Sequence, residues 1–205
     1  PRRLRGVPML REMVQETRLS ARDFVYPLFV THGRSVQQEI APMPGIFQLS
    51  LDRLLLEIAT VVDLGIPAVL LFGIPRSKDA EGSEAYDANG IIQEAVRVIK
   101  QAAPELLVIT DVCLCDYTDH GHCGVINDGA VDNDRSIDLL ARTALCQAEA
   151  GSDMVAPSAM MDGQVATIRS ALDGASYADT TIMSYSAKYA SAFYGPFRVA
   201  AGSTP

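Results

Sequence analysis

Leu106-Leu-Val-Ile-Thr-Asp-Val-Cys-Leu-Cys115 decides how this chain folds. It is apolar on both faces, interrupted only by Thr110 and Asp111. A strand reads this way when helices cover both sides of a parallel sheet. Helical patterns flank it. Ile91–Gln101 follows Gly90 and stops before Pro104, and Arg135–Ala150 opens behind Asp132, Asn133 and Asp134 and ends at Gly151. The alternation continues outward. Phe24–Val30, Ala68–Phe72, Met154–Ser158 and Thr181–Lys188 read as further strands. Leu51–Leu64 reads as a helix behind Ser50, an N-cap residue. Val165–Leu172 reads as another, with Asp162 as its expected cap.

Strands separated by helical crossovers predict an α/β fold with a parallel sheet. Strand starts recur about every 39 residues. Eight such units would need roughly 310 residues, within the range of a (β/α)8 barrel. About five units are present, so the reading is a TIM barrel of which this chain holds the first part. An open doubly wound sheet is the alternative, but no G-x-G-x-x-G follows the first strand. All strands are expected parallel, with Val30, Phe72, Cys115, Ser158 and Lys188 on one rim. The strands near residues 24 and 181 are expected as unpaired edges, and no helix is expected after Tyr189.

With 205 residues, one domain is expected. Its 48% hydrophobic content supports a sizeable core. The net charge of −8 argues against general nucleic-acid binding, which needs a basic footprint. The longest apolar run, Leu64–Ile74, is broken by Gly65, Pro67 and Gly73, so no membrane span is expected. Pro1-Arg-Arg-Leu-Arg5 has no apolar core behind it, so no signal peptide is expected and the compartment reads as cytoplasmic.

Three of the four cysteines, Cys113, Cys115 and Cys123, form C-x-C-x7-C. On a strand, Cys113 and Cys115 would point to the same side, and the loop with Gly121 can return Cys123 to them. Three thiolates suit zinc and leave a fourth position for water or substrate. Core cysteines or a disulfide are the plainer readings. His120 and His122 are further ligand candidates, while Cys146 reads as a helix core residue. Lys188 is one of only three lysines and ends a strand. Desolvated there, it would lose proton affinity and could attack a ketone as a neutral amine; a snorkelling lysine is the plainer reading. Phe193-Tyr194-Gly-Pro-Phe-Arg198 reads as a loop able to cover a site, with Arg198 poised to grip a carboxylate, or as an ordinary surface loop.

These motifs together resemble the porphobilinogen synthase family, also called 5-aminolevulinate dehydratase. The resemblance rests on Asp111–Gly124, Met43-Pro-Gly45, Leu71-Phe-Gly73, Lys78-Asp79, Val155–Ser158, Met161-Asp-Gly163, Ser186–Ser191 and Tyr194–Arg198, in order. It implies a zinc-dependent lyase that condenses two 5-aminolevulinate molecules to porphobilinogen in tetrapyrrole (heme) synthesis. Cys113, Cys115 and Cys123 match its zinc ligands. Lys188 matches the Schiff-base lysine beside zinc, and Asp111 an acid near the reacting atoms. Arg198, Tyr194 and Ser158 match substrate-binding positions. Residues 1–22 correspond to an N-terminal arm, 23–205 to a partial barrel, 111–124 to the zinc loop and 189–205 to an active-site lid. A homo-octamer, and Mg2+ as an allosteric ion, are also implied. Ala159 stands where many members carry Asp, so that position is given no role. The family's second Schiff-base lysine has no candidate here. Two other readings are a non-catalytic zinc-binding half-barrel and a class I aldolase-like lyase using Lys188 alone, whose imine chemistry needs no metal.

Overall fold

Val25-Tyr-Pro-Leu-Phe-Val-Thr31, Ala68-Val-Leu-Leu-Phe-Gly-Ile74 and Leu107-Val-Ile-Thr-Asp-Val112 lie side by side as parallel strands. Their β-branched and aromatic residues suit a pleated surface buried on both faces. The computed structural model describes residues 1–189, 191–192 and 194–203. In chain order the elements are α1 (Pro8–Met13), β1 (Val25–Thr31), β2 (Gln37–Glu39), β3 (Phe47–Leu49), α2 (Leu51–Asp63), β4 (Ala68–Ile74), α3 (Ile91–Ala102), β5 (Leu107–Val112), β6 (Ile126–Asn127), β7 (Ala130–Val131), α4 (Asn133–Glu149), β8 (Met154–Pro157), α5 (Gln164–Gly174), β9 (Thr181–Ile182) and α6 (Tyr194–Ala201).

The fold is α/β with a mostly parallel sheet of seven strands in the order β2-β3-β1-β4-β5-β8-β9. Leu28 and Val30 of β1, Val69 and Leu71 of β4, and Val108 of β5 pack with Leu54, Ile58 and Val61 of α2 and with buried residues of α3. Alternation sends Phe29 and Phe72 to the opposite face. There they pack with Ile40, Ala200 and the half-buried Phe197 of α6. The sheet thus buries one face under its crossover helices and holds α6 on the other.

Several expectations are corrected. The sheet is not wholly parallel, since β2 runs antiparallel to β3. The strand near residue 24 is not an edge: β1 pairs with β3 on one side and β4 on the other. The edges are β2 and β9. The strand ending at Cys115 stops at Val112, with Ser158 N still donating to Val112 O at 3.2 Å before the chain turns away. The strand to Lys188 is short, with regular pairing confined to Thr181 and Ile182. The backbone still follows β8, as Met183 N donates to Val155 O and Tyr185 N to Pro157 O. A helix, α6, does follow Tyr189. Its Pro196 lies in the first turn, where the missing N–H costs nothing. Gly163, not Asp162, caps α5. Ser50 holds the N-cap position of α2, but its hydroxyl donates to Asp52 and accepts from Val36 N instead of capping.

One glycine is required by close approach. A Cβ on Gly73 would occupy the space of the Tyr117 hydroxyl and sit 2.8 Å from Ile92 Cγ1. Tyr117 is a buried residue of the cysteine loop, so this glycine lets that loop sit close against β4.

Candidate active site

The site gathers where β5, β8 and β9 end. Beyond Val112 the chain turns tightly, with Tyr117 N and Thr118 N both donating to Leu114 O. That turn, not strand alternation, sets Cys113 and Cys115 together, their sulfurs 3.4 Å apart. Thr118 Oγ1 donates to His122 O at 2.8 Å and folds the loop back. Cys123 Sγ joins the other two, all three sulfurs lying within 4.8 Å of one another. All four cysteines are thiols, with no disulfide.

The donor set fits a soft dication. Tetrahedral zinc with sulfurs at ~2.3 Å needs them roughly 3.8 Å apart, close to the spacing found here. The electrostatics fit as well. Hydrogen bonds from Cys113 and then Cys115 draw the Cys123 thiol down to about 4, so it carries the first negative charge. Cys113 is pushed up to about 12: its bond from Cys115 favours the thiolate, but its bond to Cys123, burial and the Cys123 charge prevail. Cys115 is also raised, by its bonds to Cys113 and Cys123 and by burial. A cation replacing these shared protons would relieve that repulsion. Neither histidine belongs to the group: His120 Nε2 meets Ala80 O at 3.3 Å, and the two imidazole rings stand 5.6 Å apart. His122 lines the cavity instead.

Asp111, next to last in β5, is buried at the cavity wall, and Ser158, just past β8, donates its hydroxyl to Asp111 Oδ2 at 2.9 Å. Among the described residues Asp111 Oδ1 has no hydrogen-bond partner. Burial, then the Cys113 and Asp116 charges, hold the Asp111 carboxyl well above the usual carboxylate range. Asp116 is pushed up to about 7, by burial first and then by Cys113. Lys188 Nζ donates to the Ser158 carbonyl and lies 5.9 Å from the Tyr194 ring centre. The expectation of a depressed Lys188 is reversed. Burial does pull it down, but the charges of Cys113 and Cys123, then Tyr194 and Asp111, outweigh burial and raise it.

These groups open on one cavity of about 620 Å³. Asp111, Cys115, Cys123, Ser158 and Lys188 line it, and Tyr194 and Arg198 of α6 line it from the lid side. Cys113 lies behind, fully buried. Of the expected lid, Ala190, Phe193, Thr204 and Pro205 fall outside the described residues. Tyr185 is a lining residue that sequence reading passed over. Period-two alternation would set it opposite Lys188, but after Tyr185 the backbone leaves β8, Ser186 N turning back to Ser184 O, and both side chains reach the cavity. The arrangement suits a small molecule with a carbonyl for the amine and an anionic end for the arginine.

A model of the delta-aminolevulinic acid dehydratase family matches residues 1–205. The chain belongs to that family. The dehydratase of Halalkalibacterium halodurans is 57% identical over 204 residues, spanning all of this chain and 62% of that protein. The Bacillus subtilis dehydratase is 53% identical over 204 residues and 63% of its length. The crystal structure of the Toxoplasma gondii ME49 dehydratase (porphobilinogen synthase), in complex with its reaction product porphobilinogen, superposes with a TM-score of 0.96 at 40% identity. It is matched over all of this chain and 59% of its own. The chain therefore spans about three fifths of the length of these dehydratases.

Proposed function

We propose that this chain carries the zinc and lysine part of a porphobilinogen synthase site, in a protein that joins two 5-aminolevulinate molecules. The observation behind this reading is that Lys188 and the cysteine cluster open on the same cavity, with Asp111 and Ser158 beside them. In this reading Lys188 Nζ, once its ammonium proton has passed to solvent, attacks the ketone of one substrate, and the Ser158 carbonyl aims the amine. The buried carboxyl of Asp111, kept protonated, can donate to oxygen at the reacting carbon as water leaves. Arg198 and Tyr194 hold the carboxylate end, and α6 keeps water from the imine. Cys113, Cys115 and Cys123 would hold zinc, which when bound supplies Lewis-acid polarisation and a site for a substrate amino or oxygen group.

The second substrate needs its own positioning. Lys78 meets the Ala201 and Gly202 carbonyls, while Lys100 meets Asp153 and two carbonyls at the far end of the strands. Neither lines the cavity, so the 205-residue chain alone is proposed to bind and activate one substrate without turnover at the rate of a complete enzyme. The sheet is read as part of a (β/α)8 barrel in the complete protein. Residues 1–22, exposed along their length apart from Leu4, Leu10 and Ala21, are read as an arm laid against a neighbouring subunit of an octamer, with Mg2+ as an allosteric ion. A cytoplasmic location is part of the same reading. Among the described residues no helix is long and apolar enough to cross a membrane.

Borohydride reduction with 5-aminolevulinate, followed by peptide mass mapping, tests the assignment. The expected adduct is on Lys188 and on neither Lys78 nor Lys100. An adduct elsewhere, or none with zinc bound, overturns it. An aldolase-like route would form the same adduct after zinc removal with no change in yield.

A further inference from the structure

We propose that Lys78 and Gln48 are positioning residues that grip the C-terminal carbonyls of α6 and so fix Tyr194 and Arg198 over the cavity. The helix has only eight residues, too short to persist by its own hydrogen bonds. Its end leaves a definite set of acceptors. Gly202 turns left-handed at φ +59, and Ser203 N donates back to Arg198 O at 3.2 Å. This is the usual closure of a helix by a left-handed residue, and it uses the Arg198 carbonyl. The carbonyls of Ala200, Ala201 and Gly202 point onward, and leaving such groups without donors is costly.

Two distant side chains meet them. Gln48 Nε2, from β3, donates to Ala200 O at 2.7 Å. Lys78 Nζ, from the loop after β4, donates to Ala201 O at 3.0 Å and to Gly202 O at 2.8 Å. The ammonium also meets the negative end of the helix dipole. Phe197 adds apolar contact, its ring centre 5.3 Å from that of Phe72 and 6.2 Å from that of Phe29. Aromatic packing of this kind tolerates sliding and rotation, whereas three directed hydrogen bonds to one turn do not. Tyr194 and Arg198 stand four residues apart on α6, one above the other on the face that lines the cavity. A shift of the last turn therefore moves both.

The consequence for substrate rests on the reading that Arg198 and Tyr194 meet its carboxylate end; the grip itself does not. The test makes Lys78→Met and Gln48→Leu separately and follows amide hydrogen exchange in peptides covering α6. Exchange should run about tenfold faster in each variant, the size expected for losing a helix-end hydrogen bond. Lys78→Arg should retain most of the protection. Because Gln48 is uncharged, its variant separates the grip from any effect of removing a positive charge. Unchanged exchange in both variants overturns the proposal. In a second arm, borohydride trapping is followed against 5-aminolevulinate concentration with zinc bound. The half-saturating concentration should rise about tenfold while the plateau yield holds. Faster exchange with an unmoved half-saturating concentration overturns the positioning role. If exchange responds but the unsubstituted chain forms no adduct, the dehydratase reading has failed and the grip on α6 stands.

Discussion

The carbonyl oxygen of Ser158 accepts a hydrogen bond from Lys188 Nζ, a residue 30 positions further along the chain. The same residue donates its hydroxyl to Asp111, so the end of β8 places an amine through its main chain and an acid through its side chain. Ser158→Ala should separate the two. It removes the hydroxyl that donates to the buried Asp111 carboxyl and should destabilise the chain by about 1–3 kcal/mol in urea unfolding. Lys188, held by a carbonyl that any residue provides, should still be trapped by borohydride. Loss of the Lys188 adduct in this variant would show that the side chain, not the backbone, places the amine.

Metal binding should release protons in a countable number. The Cys123 thiol is drawn down to about 4, whereas Cys113 is pushed up to about 12 and Cys115 is raised. At neutral pH one thiolate is ready and two thiols must still ionise. About two protons should leave per zinc at pH 7, so affinity should fall about a hundredfold per unit of acidification. Calorimetry in buffers of different ionisation enthalpy reads the number directly. Release of none would contradict the thiol assignment, and Cys113→Ser/Cys115→Ser should bind no zinc.

Lys188 provides a second pH test. Its raised pKa keeps the amine protonated to higher pH, so in the metal-free chain trapping should require alkaline conditions. The upward push comes chiefly from the Cys113 and Cys123 charges. Cys113→Ser/Cys123→Ser removes them and leaves burial, which acts downward, to prevail. The half-point of the metal-free trapping profile should therefore move to lower pH in this variant. Identical profiles for the variant and the unsubstituted chain would remove the electrostatic link between cluster and amine.

Gly73→Ala should disturb the site from below. The added methyl meets the Tyr117 hydroxyl and Ile92 inside a packed layer. Overpacking of this kind costs about 1–3 kcal/mol. Urea unfolding should show that loss, and zinc affinity should fall with it because Tyr117 belongs to the cysteine loop. Gly45→Ala is the control for added volume: no atom lies within 4 Å of its Cβ position, although its φ of +81 carries a backbone cost.

The long elements were legible because their patterns are strong. Leu51–Leu64 was expected and Leu51–Asp63 is found; Ile91–Gln101 became Ile91–Ala102. β2 and β3 were not legible, since three residues each are too few to show a period, and their pairing is decided across the sheet, β3 against β1 and β2 against β3. α6 was misread because Gly195 and Pro196 signal a break in most contexts, yet Pro196 falls in the first turn. The cysteine spacing singled out the three sulfurs that lie together, although a turn and not a strand gathers them. The direction of the Lys188 shift could not be read from position alone. It depends on which charges face the amine, and those come from a loop more than sixty residues away in sequence.

Gln48 and Lys78 hold α6 by oxygen atoms that every amino acid carries. Ala200 and Ala201 are therefore not read for chemical identity; they are enclosed, and only their bulk is policed. Serine or glycine at either position should pass unnoticed by the grip, while a larger side chain should pry the helix off its seat. Random mutagenesis of this turn should accordingly return a record sorted by volume, with the selective pressure written instead at two positions far upstream that never touch the substrate.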